Sequence, residues 1–105
     1  MKITIEKGID VSNKEKERIE AFKELLLSFL QPHNLSMERT RIPEIIISED
    51  EVAFRVKCVF DKVNAYARLG WIFRVTCLKD KIMPRHNDFT DDGFIMFISR
   101  QSLME

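Results

Sequence analysis

The stretch SNKEKERIEAFKELLLSFLQP, residues 12–32, decides the fold. Ile19, Phe22, Leu25, Leu26, Phe29 and Leu30 recur at the i, i+3, i+4, i+7 spacing that lines one face of an α-helix. Lys16, Glu17, Glu20, Lys23 and Glu24 take the opposite side. Ser12 and Glu15 fit the S-x-x-E capping box, in which each side chain satisfies a free N–H at the helix start. Pro32 lacks an N–H and ends the run. The pattern predicts a helix over residues 13–31. Leu27 falls at the margin of the stripe, as ordinary partial exposure or as the border of a contact surface.

Outward from that helix the signals are shorter. Residues 2–6 (KITIE) alternate and run to Gly8, which reads as a short strand. Residues 33–42 are polar and irregular, a connecting loop. Pro43 precedes EIII (44–47), a β-branched strand, and the charged SEDE (48–51) reads as the turn of a hairpin. Residues 52–60 alternate, with Phe54, Val56, Cys58 and Phe60 on one face and Ala53, Arg55, Lys57 and Val59 on the other. Residues 61–69 read two ways. Asp61 as a cap and Gly70 as a stop define a two-turn helix, while Val63, Ala65, Ala67 and Leu69 alternate as in a strand; the punctuation favours helix. Residues 71–78 read as a strand with Trp71, Phe73, Val75 and Cys77 on one face. Residues 79–93 read as a long polar loop. FIMFI (94–98) is a last strand, apolar on both faces, which suits a central position or one covered by another subunit. The tail from Arg100 is expected to fray.

These elements predict a single α+β domain over residues 1–105. It has a mostly antiparallel sheet of four or five strands with the long helix on one face. If residues 61–69 are helical, the order corresponds to a ferredoxin-like βαββαβ arrangement with an extra strand, a fold that hosts many functions.

Composition narrows the function classes. Lys+Arg and Asp+Glu both number 17, so the formal net charge is zero, which removes the long-range attraction of a typical nucleic-acid or membrane binder. The first ten residues, MKITIEKGID, have no apolar core of a leader, and the longest apolar run is far short of a membrane span. Cys58 and Cys77 are not a C-x-x-C pair and fall on the apolar phase of their segments. They read as reduced, buried thiols of a cytoplasmic protein rather than nucleophiles or zinc ligands.

No nucleophile elbow, P-loop or dinucleotide fingerprint is present. The loop MPRHNDFTDDG (83–93) starts like a calcium loop at Asp88, Thr90 and Asp92. The twelfth position, which needs a bidentate Glu, is Ser99. Turn-forming Asp and Asn explain the cluster equally well. No metal and no cofactor are expected, and a metal-dependent enzyme built on His86, Asp88, Asp91 and Asp92 is the third reading.

Two surfaces remain. Tyr66, Arg68 and Trp71 belong to the residue types enriched at interface hot spots, and with Leu69 and Leu27 they form the protein-interaction candidate. The competing reading makes Trp71 core. Arg55, Lys57 and Arg74 share the strand phase opposite the aromatics and form a nucleic-acid alternative, against an ordinary solvated sheet face. The expectation is a small non-catalytic regulator, inhibitor, immunity-type or accessory factor that binds another protein. Homodimerisation through FIMFI, another strand edge or Leu27 is a further expectation.

Overall fold

The computed structural model describes residues 1–30, 40–58 and 62–104, with the backbone alone over 62–66. The chain runs β1 (Lys2–Ile5), α1 (Asn13–Leu30), β2 (Arg41–Ile47), β3 (Glu51–Lys57), α2 (Lys62–Lys79), β4 (Pro84–Thr90) and β5 (Gly93–Ser99), then a short 3-10 turn (Gln101–Met104). It is an α+β fold. One five-stranded sheet has the order β1-β2-β3-β5-β4, parallel between β1 and β2 and antiparallel elsewhere.

Helix α1 forms as its spacing requires. The Glu15 N–H donates to the Ser12 hydroxyl at 3.1 Å, half of the expected box. The other half is replaced: the Glu15 carboxylate turns inward to Arg100. Ile19, Phe22, Leu26 and Leu30 are buried against the sheet, and the Phe22 and Phe54 rings lie 5.0 Å apart, tilted by 47°. The sheet face beneath is apolar in each inner strand: Ile45 and Ile47, Val52, Phe54 and Val56, then Phe94, Met96 and Ile98. Helix α2 completes the layer with Leu69, Ile72, Phe73 and Cys77.

Three expectations are corrected here. Residues 71–78 are not a strand but the second half of α2. Leu69, Ile72, Phe73, Thr76 and Cys77 are the buried positions, the i, i+3, i+4, i+7, i+8 pattern of a helix. Gly70 does not stop it. The stop lies at Lys81, whose φ of 56° places it in the left-handed region. The Ile82 N–H returns to the Cys77 carbonyl at 2.8 Å and the Lys81 N–H to Leu78 at 3.3 Å, the paired bonds of a Schellman cap. Residues 84–90 are not loop but edge strand β4. Its polar sequence, PRHNDFT, hid it, because an edge strand has little to bury. The tail does not fray: Leu103 is buried, and Ser102 accepts from the Met83 N–H while donating to the Ser99 carbonyl.

The chain order has the expected helix–strand sequence, but β1 lies directly beside β2 rather than being split from it. Only the β3–α2–β4 unit is split, by β5. The expected strand end at Val59 and Phe60, the cap at Asp61 and the loop over 33–39 lie outside the described residues. At Gly93 a Cβ would fall 1.9 Å from the Val56 carbonyl oxygen, so only a bare backbone lets β5 begin against β3.

Arg100 fastens the end of β5 to the start of α1. Its Nε donates to Glu15 Oε2 at 2.6 Å and its Nη2 to Glu15 Oε1 at 3.2 Å and the Asp10 carbonyl at 2.7 Å. The Glu15 carboxylate raises the guanidinium pKa further above its ordinary value. Replacing Arg100 by Ala leaves the buried Glu15 unpaired and is expected to lower unfolding free energy by about 3 kcal/mol in urea titration. A loss under about 0.5 kcal/mol, typical of an inert surface site, would contradict this role.

Candidate functional site

Helix α2 turns one stripe away from the core. Ala67, Trp71, Arg74 and Leu78 follow at i, i+4, i+7 and i+11, and all four are exposed. Trp71 is 57% exposed and Leu78 80%, and beyond the helix end Met83 is 63% exposed. Between α2 and β4 runs an open groove of about 760 Å³, lined by Gly70, Trp71, Phe73 and Arg74 on one side and by Arg85 and Asn87 on the other. A crevice beneath Leu69, Phe89 and Phe94 holds only about 10 Å³, roughly one water.

Of the protein-interaction candidates, Trp71 and Arg68 are at the surface and Leu27 is half-buried on α1. Leu69 is corrected: at 2% exposure it belongs to the core and offers no contact. The Tyr66 side chain lies outside the described residues. In the sequence Leu78 stands out as a surplus apolar residue that suits a binding surface, but reading 71–78 as a strand puts it on the face opposite Trp71, whereas the helix brings the two together at a seven-residue spacing. Nothing in the sequence places Met83 or Arg85 beside them.

The three basic candidates are not brought together. Arg55 and Lys57 lie on the open face of the sheet, whereas Arg74 is on α2, on the opposite side. Asp92 sits 3.6 Å from both Arg55 and Lys57. Desolvation pushes the Asp92 carboxyl up, but Arg55, the Thr90 hydroxyl and Lys57 together hold it below the ordinary carboxylate value. The register aligns Lys2, Glu44, Arg55, Ile95 and Asp88 in one row, and Thr4, Ile46, Ala53, Phe97 and His86 in the next. Charges in the first row largely alternate, and the second is mainly apolar, with the His86 ring stacked on Phe97 at 4.2 Å.

The metal candidates are dispersed in the same way. His86 packs on Phe97, Asp92 is held by two cations, and His86 and Asp88 approach only to 3.9 Å. Among the described residues no three His, Cys, Asp or Glu side chains converge on a point that would hold a metal ion. No described helix is long and apolar enough to cross a membrane.

Comparison with models of known protein families gives no match, and comparison with curated proteins gives none.

Both thiols are buried, and this sets their chemistry. Burial, then the charge of Asp92, pushes Cys58 from 9.0 up to about 11. Burial, then Asp80, pushes Cys77 up to about 12. The fold therefore favours the protonated thiols. Their contribution to stability is full below about pH 9 and is lost as pH rises toward 11–12. Titration with a thiol reagent at pH 8 is expected to find both cysteines slow in the native protein and fast in denaturant. Prompt labelling of the native chain would show a thiol that the fold leaves open.

Gly70 stands in the interior of an 18-residue helix, where glycine costs about 1 kcal/mol relative to alanine. No packing requires it, because a Cβ there would meet nothing within 4 Å. Gly70→Ala is therefore expected to stabilise the protein by about 0.5–1 kcal/mol in thermal unfolding. A destabilised variant would show a steric role for the glycine.

Proposed function

We propose that this chain is a non-catalytic regulator or accessory factor that binds another protein through the outer stripe of α2 and the adjoining edge strand β4. Trp71 carries the reading. A domain of this size gains most from a large aromatic by burying it, yet Trp71 is 57% exposed. It shares its stripe with Leu78 and Arg74 and borders the groove, so apolar area, a guanidinium and a concave wall occur together. Trp and Arg are the residues that most often dominate interface energetics, and a flanking groove supplies the desolvated surroundings such hot spots need. The raised, buried thiols fit a reducing compartment such as the cytoplasm.

Tagged chain presented to nuclease-treated host lysate is expected to retain one stoichiometric protein. Trp71→Ala combined with Leu78→Ser is expected to weaken that retention at least about tenfold, the size of a hot-spot loss of roughly 1.4 kcal/mol or more. Unfolding midpoints of the variant and the parent chain should agree closely, as for other surface positions. Retention that ignores both substitutions, or that disappears with nuclease, would refute the reading.

A further inference from the structure

We infer that the α2–β4 groove receives an extended acidic segment of the partner, which adds as a sixth strand along the outer edge of β4. This rests on the docking surface proposed above and names what fills its concave part.

Topology supplies the template. Among the described residues β4 is the last strand of the sheet, hydrogen-bonded to β5 on one side and to no strand on the other. In an antiparallel edge strand, alternate residues turn their N–H and C=O groups outward. Edge strands are usually blunted by proline, bulges or charge. Here Pro84, the irregularity between Pro84 and His86 and the Arg85 charge blunt the start of the strand, Asp88 places one exposed carboxylate on its open-face side, and pairing is regular from His86 to Thr90. An incoming strand there would lie beside α2, in the groove.

Gly70 supplies the second observation. The helix bears an unfavourable residue at a position where its neighbours would accept a side chain. The position lines the groove. A glycine that weakens its own helix and is not needed for packing keeps the groove open, so a bulky side chain of the guest strand can sit over it. Stability given up at a binding site in this way is a common trade.

Charge selects the guest. Arg74 and Arg85 line the groove, and no described lining residue is acidic, although the chain as a whole is neutral. Arg74 makes no ion pair among the described residues. The Arg85 backbone borders the groove, but its guanidinium turns across β5 to Glu51 at 3.4 Å on the open face of the sheet, so Arg74 is the cation that faces a guest. Aspartate or glutamate on the helix-facing side of the guest strand would meet the Arg74 guanidinium, and a guanidinium–carboxylate pair can form two parallel hydrogen bonds. Backbone pairing supplies affinity in this mode, and the side-chain contacts supply selection.

Selection of a random dodecapeptide phage library on the tagged full chain tests the assignment. Recovered peptides are expected to be enriched in Asp and Glu. Their affinity, read by fluorescence anisotropy, should fall at least about tenfold in Gly70→Leu and in Arg74→Glu, and should decline with salt. Leucine is the better helix former, so Gly70→Leu should unfold no earlier than the parent chain, which separates blocked binding from lost folding. Amide shifts in the NMR spectrum should concentrate in residues 84–90 and 69–74. The inference is overturned by an empty selection, by peptides without acidic enrichment, by binding that Gly70→Leu leaves intact, or by shifts on the open sheet face. Sedimentation showing that a second copy of the chain fills the groove overturns it as well. The native partner separates the two levels. Capture lost in Trp71→Ala/Leu78→Ser but kept in Gly70→Leu and Arg74→Glu removes the groove's role and leaves the docking surface. Capture kept in all of them removes both.

Discussion

The Glu15–Arg100 pair closes the structure. It joins the first turn of α1 to the residue that follows β5, 85 positions away in the chain. Arg18, one helical turn further along α1, donates to the carbonyls of Ser102 and Leu103. Ser102 in turn holds the Met83 N–H, and Ser99 donates to the Met83 carbonyl. One corner therefore fastens the start of α1, the end of β5 and the approach to β4. A buried ion pair is weak evidence of net stability, because desolvation offsets much of the attraction. Its consequence is geometric: the carboxylate accepts from two guanidinium nitrogens, and that fork tolerates little rotation of α1 over the sheet.

With α1 fixed, the place of α2 follows. The two helices pack against each other, and α2 adds Leu69, Ile72, Phe73 and Cys77 to the same buried cluster as Phe94, Met96 and Val56. The chain must then pass over β5 to reach the free edge, since β4 lies beyond it. The Schellman cap at Lys81 and the burial of Ile82 set where that crossing ends. A β4 strand delivered to the edge, beside the exposed stripe of a helix, leaves a groove between them. The candidate site is thus a product of strand order rather than of any local motif.

This explains what was legible in the sequence. Helix α1 was plain because three independent signals agreed: the cap at Ser12, the stripe from Ile19 to Leu30, and Pro32. The hairpin of β2 and β3 was plain because Ile45–Ile47 and Val52–Val56 alternate or branch as strands do. Helix α2 was split because Trp71, Phe73, Val75 and Cys77 alternate by chance across a true helical set, and because Gly70 imitates a stop. The longer window decides it: Leu69, Ile72, Phe73, Thr76 and Cys77 fit only a helix. Thr76 shows the cost of that reading, since a buried hydroxyl needs a partner, and it finds one in the Ile72 carbonyl at 2.7 Å. Strand β4 carried no signal, for a polar edge strand and a polar loop have the same composition. Within the site, Trp71 and Arg68 were nameable by residue type. Gly70 and Arg85 were not, because their proximity exists only after β4 has crossed to the edge.

Neutral net charge also proves a poor guide to where a partner would sit. On the open sheet face the charges answer one another: Asp92 stands between Arg55 and Lys57, Thr4 donates to Glu44, and Lys2, Glu44, Arg55 and Asp88 largely alternate along a row. A partner covering that face would have to desolvate groups that already have counter-charges close by, with little new attraction in return. The α2–β4 side is built the other way. Arg74 lines a groove that has no acidic residue among its described lining, and Trp71, Leu78 and Met83 are largely exposed. Zero net charge therefore says little about distribution: charges on the open face stand close to counter-charges, whereas the described lining of the groove holds Arg74 with no acid beside it.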